Sequence, residues 1–430
     1  MKSSILNAVC LSIVLIASPA VALEAQDPSP DQSTQNLSVF LDCSGPNCDR
    51  DHFRREISWV NWARDRRDAD VHLLITIERT GGNGLRYTLD FIGIGEFEGA
   101  DKSLSHTSDA NDSDAEVRDA LTQTMALGLV QYAETSEVAN RLWIMYRPLR
   151  AGERLEEPES EPWNLWMFRL SLNGSLEGEA QQSSYSIRGS GSADRVTETL
   201  KINLDLSGEY EHDRYERTDD TITSVSEEYS ANLLAVWSLG EKWSAGGKIN
   251  ADHSTYENRD LAVSAGPAIE YNFFPYSEST RRAVTLRYAA EVVRFDYQEI
   301  TVENKMDEIL PRHSLTLSSA IQQPWGDILG TVEAIQYLHD LETHRINVSG
   351  RIEYRLFRGL NLNVGGEFSR IKDQFYLSAA GLDDDDILLE RLDRETDFSY
   401  ELRAGFSFVF GSKFANIVNP RMGGRRRFYR

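Results

Sequence analysis

Cysteine is scarce in this sequence. There are three in 430 residues, too few for a disulfide-dense scaffold or a cysteine-rich metal cluster. Positive charge is also short: 45 Lys and Arg stand against 68 Asp and Glu, a net charge of -23. That balance excludes nucleic acid as a natural partner, because phosphate binding needs the opposite sign. Beyond the first residues no stretch approaches ~18 consecutive apolar residues, so a helical membrane span is excluded. A β-barrel is not, since its strands are only half apolar. From Trp163 onward helical periodicity is missing too, and only alternation is left.

What is present begins with a targeting pattern. Lys2 gives a positive start, Ile5 to Ile16 an apolar core, and Ala20-Val21-Ala22 a small-residue cleavage site. Residues 1–22 are therefore expected to be a secretory signal peptide. Cys10 lies inside the apolar core rather than after it, which argues against a lipoprotein box. Cys43 and Cys48 remain, and no histidine pair sits at ligand spacing beside them. In an exported chain that pair reads as a disulfide. So small a loop contributes only about 2 kcal/mol in the chain-entropy model.

The last alternating stretch is the most telling. Phe398, Tyr400, Leu402, Ala404, Phe406, Phe408 and Phe410 take one face, and Ser399, Glu401, Arg403, Gly405 and Ser407 the other. Successive strand residues point to opposite sides. A strand this long, greasy on one face and charged on the other, suits a membrane crossing between lipid and a polar lumen.

Alternation recurs at about 164–180, 182–192, 198–212, 227–238, 242–254, 261–273, 281–297, 312–323, 327–339, 345–357, 359–375 and 395–411. The expected fold class is an all-β transmembrane antiparallel barrel of about 12 strands, spanning 163–411. A change of phase near Ile328 to Tyr337 suggests a bulge. Tight connections (Leu239-Gly240-Glu241, Pro324-Trp325-Gly326, Phe357-Arg358-Gly359) alternate with long ones (His212 to Glu227, Gln298 to Pro311, Tyr376 to Glu395). Trp163, Trp166, Trp237, Trp243 and Trp325 fall at the tight-turn rim, and Tyr210, Tyr256, Tyr297, Tyr337 and Tyr400 toward the other. Aromatic rings at both ends are expected of interfacial belts.

Residues 36–147 precede the barrel as a small α+β domain, and Pro148, Pro158 and Pro162 among glutamates mark 148–162 as a linker. The expected order is β-α-β-β-α-β. Its elements are a strand at Ser38–Leu41, a helix over Asp51–Arg67, and strands at Val71–Arg79 and Arg86–Ile94 around Gly81-Gly82-Asn83-Gly84. A second helix follows, capped by Asp112 or Asp114 and running to Tyr132, and then a strand at Arg141–Tyr146. The helices carry apolar stripes: Phe53, Ile57, Val60 and Ala63, then Val117, Leu121, Met125, Gly128 and Tyr132. The glycine run joins two strands rather than opening a helix, so it reads as a hairpin turn and not a phosphate loop. Residues 412–430 form a basic tail with Arg421 and Arg425-Arg426-Arg427.

Two resemblances follow. The small domain, about a quarter of the chain, with "ADVHLLITIERTGGNGLRYTLDFIGIGEF" as its middle hairpin, resembles the amino-terminal domain of TolB and related CsgG-like periplasmic domains. It implies a non-catalytic module that docks onto a periplasmic protein partner. The second half, through "EYNFFPYSESTRR", "QQPWGD", "KDQFYL" and "FVFGSKFANIVNP", resembles bacterial outer-membrane β-barrel proteins of uncharacterised activity. It implies the outer membrane with both termini periplasmic, contact with outer-membrane lipid, and recognition by the barrel-assembly machinery. Arg403, Gly405, Phe408 and Phe410 match the carboxy-terminal assembly signal of such barrels, although about twenty residues follow here where the usual signal ends the chain.

The expected lumen lining carries both signs. Arg169, Lys201, Arg287, Arg345, Arg351, Arg355 and Arg403 face Asp205, Glu291, Glu353, Glu367 and Glu401, with Arg188, Lys248, Glu209 and Glu270 on the same side. Twelve strands lie between barrels filled by side chains and open channels, so paired charges could plug the lumen or line a passage. No catalytic constellation is evident. Asp252-His253-Ser254 is the candidate for an enzyme acting on lipid or lipopolysaccharide, but neighbours on a strand point apart. His212, His313, His339 and His344 sit at outer strand ends, and Asp383 to Asp386 lack EF-hand spacing. No motif asks for a cofactor or a metal. Three readings stand: a narrow pore for ions or small polar solutes, an outer-membrane enzyme, or an envelope anchor with a closed lumen.

Overall fold

The computed structural model describes residues 37–80, 84–134, 136, 138–143, 163–216, 221–380, 393–419 and 421. The expected signal peptide, the linker, the Asp383–Asp386 run and Arg425–Arg427 lie outside these residues. No described helix is long and apolar enough to cross a membrane.

The amino-terminal domain holds β1 (Ser38–Cys43), α1 (Arg50–Glu56), β2 (Asn61–Ala63), β3 (Val71–Arg79), β4 (Leu85–Gly93), β5 (Lys102–Thr107) and α2 (Asp114–Ala133). Its five-stranded sheet has the order β2-β1-β3-β4-β5. The domain is α+β as expected, but two additional short strands change the order of elements. The first helix stops at Glu56 rather than Arg67, with Ile57 as its cap. The next residues, Trp59, Val60 and Trp62, prefer a strand, and Val60 and Trp62 are buried there. The second addition, β5, alternates half-buried with exposed residues and has Leu104 as its one large apolar residue, which hides it in the sequence. The strand expected at Arg141–Tyr146 is not seen at its start. Ala139–Arg141 is a 3-10 turn, and Tyr146 lies outside the described residues.

The second helix is capped by Ser113, not Asp112 or Asp114. Ser113 and Glu116 form a reciprocal capping box, which satisfies two of the helix's free amide donors. Its stripe of Val117, Leu121, Met125, Gly128 and Tyr132 is buried. At Gly128 the helix meets Phe91 so closely that a Cβ would fall 2.0 Å from the ring. Cys43 and Cys48 are bonded, with Cα atoms 5.9 Å apart.

The second part is a twelve-stranded antiparallel meander. Its strands are β6 (Trp166–Gly178), β7 (Gln182–Val196), β8 (Leu200–Glu216), β9 (Thr221–Ser238), β10 (Trp243–Ser254) and β11 (Arg259–Asn272), followed by β12 (Arg282–Tyr297), β13 (Asp307–Gln323), β14 (Gly326–Tyr337), β15 (His344–Phe357), β16 (Leu360–Ile371) and β17 (Phe398–Phe408). Each expected strand is present. The connection expected at His212–Glu227 is mostly strand, since β8 runs to Glu216 and β9 starts at Thr221. Strand β13 also runs through Pro311, which pairs with Val292. A proline is tolerated there because its missing donor faces β14, whose ladder ends one rung earlier at Arg312–Tyr337. The expected bulge in β14 is absent, because both of its ladders keep register throughout. Register shifts occur instead at Asp252/Ser254, Arg259/Leu261 and Arg355/Phe357.

The ladders sort every side chain onto one of two faces. Leu170, Leu172, Ile187, Leu206, Leu233, Ile249, Val292, Leu317, Val332, Ile352, Leu402 and Phe406 share one face and are exposed. An unbroken apolar surface across twelve strands has no counterpart in a water-facing sheet. The opposite face carries the charges of the strand middles, while charged residues on the apolar face, such as Arg214, Glu216, Arg294 and Asp296, stand toward the strand ends. Among the described residues no ladder joins β6 to β17, which are the two edges of the sheet.

This assignment is tested by neighbours of opposite exposure to lipid. Leu204 lies on the apolar face, and Asn203 lies on the polar face, donating to Asp194 at 2.5 Å. Leu204→Arg is expected to cost about 2–4 kcal/mol if that site is near the bilayer midplane, and Asn203→Arg much less. Urea titration in lipid vesicles measures both, and equal costs would refute the faces.

Candidate functional site

The register places all twelve charged residues expected in the lumen on the polar face. They do not form one constellation; the structure divides them among three levels.

In the middle, Arg351, Glu367, Glu401 and Arg403 line a cavity of about 860 Å³ with Ser318, Thr331 and Asn363. Arg403 pairs with Glu401, while Arg351 and Glu367 make no ion pair among the described residues. Small inward residues leave the room: Ala283, Ser318, Ala320, Ser349 and Gly365 all border this space. Beside it, Arg287 reaches Thr316 at 3.4 Å, and Thr316 reaches Glu333 at 3.4 Å.

Toward the end that carries the loop 298–306 and the segment 372–380, the polar face becomes aromatic. Phe295, Tyr297, Leu310 and Tyr337 pack with Phe375 and Tyr376 into a buried cluster. The stretch to 375 reads in sequence as the end of a strand. Instead β16 stops at Ile371, and the chain folds back over the inner face. Arg345 then pairs with Asp373 at 2.9 Å, and Arg312 with Glu291 at 2.9 Å. Asn258 clamps this loop. Its side chain donates to the carbonyls of Tyr376 at 2.9 Å and Glu299 at 3.1 Å, and accepts from the Glu299 amide at 2.8 Å. Burial raises the Asp373 carboxyl, and Arg345 only partly offsets it. The cluster also accounts for the apparent change of phase in β14: Ile335 and Tyr337 are apolar on the inner face because they meet this loop.

At the end with the turns 324–325 and 358–359, the amino-terminal domain meets the polar face. Arg355 grips Asp42 with both terminal nitrogens and donates to the Pro324 carbonyl at 3.0 Å. Behind it His72 Nε2 lies 3.0 Å from the same carboxylate. Arg358 pairs with Asp68, and the Gly359 amide donates to Asp65 at 2.9 Å. Glu353 lines the adjoining cavity of about 650 Å³. Arg169, Lys201 and Asp205 line another, of about 550 Å³, together with Arg79 and Thr80 from the β3 end of the domain hairpin. Burial alone would raise the Asp42 carboxyl. Its hydrogen bonds with His72 and Arg355 outweigh burial and hold it at about 2.

Sequence reasoning found the barrel side of these pairs and missed their partners. Asp42 lies outside the alternating barrel strands, and Asp373 reads as part of a strand that in fact stops at Ile371. The rim aromatics need correction as well. Tyr297 and Tyr337 are buried on the inner face. Tyr210 and Tyr400 do stand on the apolar face, as do Tyr185, Tyr229 and Tyr288, each of these three against a histidine: His212 at 5.0 Å, His253 at 5.5 Å and His313 at 5.8 Å between centroids. The outer-end histidines are thus not gathered, and no metal-holding cluster occurs among the described residues. In the candidate triad, Asp252 and Ser254 face inward while His253 faces outward.

No family model and no curated protein matches this chain. Among solved structures it is similar to the translocator domain of the autotransporter NalP from Neisseria meningitidis (9% identity, 57% of this chain and 82% of that one, TM-score 0.20). It is also similar to the NanC porin (9%, 56% and 99%, 0.26) and to the CymD monoaromatic hydrocarbon channel (10%, 58% and 87%, 0.26). Likeness at that level says nothing of solute or partner. The apolar outer face, polar inner face and twelve-stranded meander give the chain the fold of a bacterial outer-membrane β-barrel with a small α+β domain before it.

The Asp42 contacts have a defined pH signature. A carboxylate depressed in the folded state stabilises fully above its unfolded value, 3.8, and ceases to do so as pH falls through about 2. Urea midpoints of wild type and Asp42→Asn are expected to differ by a pH-dependent part of roughly 2 kcal/mol, level above about pH 5 and vanishing between about pH 4 and 2. A difference that stays level through that window would refute this reading of the site.

Proposed function

We propose that this chain passes ions or small polar solutes across the outer membrane through a narrow lumen lined by charges of both signs. The observation that carries the reading is the central cavity, about 860 Å³, bordered by Arg351, Glu367, Glu401 and Arg403 at mid-strand level. A lumen built only as a plug would fill that level with side chains. Small inward residues on adjacent strands, Ser318, Ala320, Ser349 and Gly365, leave it open instead. The turn end and both termini lie in the periplasm in this reading, as in single-chain barrels, which puts the small domain there too.

The same reading requires the two sheet edges to close on each other. In hydrocarbon an unpaired strand edge leaves backbone groups without partners, each costing several kcal/mol. Edges β6 and β17 run antiparallel to one another, so they can zip. Hydrogen exchange of the lipid-embedded protein should find the amides of both strands protected. Fast exchange along either would refute a closed barrel.

Arg351 offers the direct test of the passage. It makes no ion pair among the described residues, so its charge acts on whatever enters the cavity. Arg351→Glu should shift the reversal potential in planar bilayers toward cations and leave heat-modifiable gel mobility unchanged. A folded barrel that stays silent before and after the change would refute the passage and favour the anchor reading, which the filled ends also suit. The enzyme reading is weakened by the separation of His253 from Ser254 across the sheet.

A further inference from the structure

The amino-terminal domain touches the barrel at several places around its turn end. Asp42, Asp65 and Asp68 meet β15 and the turn after it. Asp90 meets Arg281, in the turn before β12, at 3.6 Å. Arg79 and Thr80 reach the inner face of β6 to β8. A fourth contact comes from the tail after β17. Residue Phe414 bridges Ala63 on the domain's edge strand β2. The Arg64 amide donates to the Lys413 carbonyl at 2.8 Å, the Ala415 amide to the Trp62 carbonyl at 3.0 Å, and the Trp62 amide to the Asn416 side chain at 2.7 Å. The domain therefore lies across the mouth rather than beside it.

The character of the contacts matters as much as their placement. The domain's apolar core is made of its own residues alone, from Leu37 to Tyr132. What joins it to the barrel wall is ion pairs and hydrogen bonds. Interfaces of that polar kind between domains of one chain permit relative motion. The tail differs, because it adds backbone pairing to an open sheet edge, which gives it the character of a tether.

We infer that the amino-terminal domain is a built-in stopper for the barrel, latched by Asp42–Arg355 and Asp68–Arg358 and hinged on the tail strand at Phe414. This inference rests on the passage proposed above, since a stopper needs something to stop. Releasing the latch leaves the domain tethered through β2 and uncovers the cavity that leads to Arg351.

The test is the full chain carrying Arg355→Ala and Arg358→Ala. Both changes lie on the barrel side, so the Asp42–His72 contact inside the domain is kept. Spin labels at Glu98→Cys on the domain and Glu241→Cys on a barrel turn report docking by their distance distribution, independently of any current. Wild type should give one narrow distance and rare openings. Loss of two ion pairs, one of them bidentate and half-buried, should broaden the distance and raise open probability at least about tenfold. A distance that stays narrow in the variant would overturn the latch. A broadened distance with conductance equal to wild type would overturn the stopper while leaving the passage standing. A broadened distance with no current in either protein would overturn the passage itself, and the stopper with it.

Discussion

A backbone amide inside hydrocarbon has no water to bond to, and neither does a charged side chain. That constraint dictates the twelve-stranded meander, in which each interior strand is paired on both sides. It also dictates the polarity of the sheet. Leucines, valines and aromatics that would form the core of a soluble sandwich stand on the outside here, and arginines and carboxylates face inward. Among the described residues β6 and β17 are the edges of this sheet, and both carry the same outward apolar pattern as their neighbours.

Inverting the sheet moves the problem of unpaired charge to the interior, where isolated ions are expensive. The structure meets it differently at each level. In the wall, Arg312 pairs with Glu291 on the neighbouring strand. At the two ends the carboxylates come from outside the sheet: Asp373 from an infolded loop for Arg345, and Asp42 from another domain for Arg355. The middle keeps charges with room around them, and smaller cavities do the same for Glu353 and for Lys201 and Asp205 at the turn end. The ends are thus neutralised by segments that can in principle move, while the wall is neutralised by strands that cannot.

Period-2 alternation made the barrel legible because each strand must present lipid on one side and polar groups on the other for its whole length. The twelve strands and their faces follow from that alone. Where alternation is perturbed, the reading errs for identifiable reasons. Ile335 and Tyr337 looked like a slipped register but are inner residues packed against Phe375. Phe375 and Tyr376 looked like strand and are a turned-in loop. In the small domain, Val60 and Ala63 fell on a helical stripe that began with Phe53, and β-preferring residues ended the helix early. The charge partners were illegible in principle, since Asp42 and Arg355 are 313 residues apart in sequence and no local pattern joins them.

The tail connects these parts. Strand β17 ends at Phe408, and Arg64 of the domain donates to the carbonyl of Phe410 at 2.9 Å. A few residues later the same segment pairs with β2, the edge of the domain sheet. An edge strand as short as Asn61–Ala63 is weak by itself, so it gains from that added backbone pairing. Residues beyond a barrel's last strand would otherwise be dispensable. Here they cap an open sheet edge, and the edge they cap belongs to the domain that β15 holds by its arginines. Formation of the last barrel strand and seating of the domain are therefore coupled through a single stretch of backbone. The domain can dock in this way only once the end of the chain has reached the turn end of the barrel.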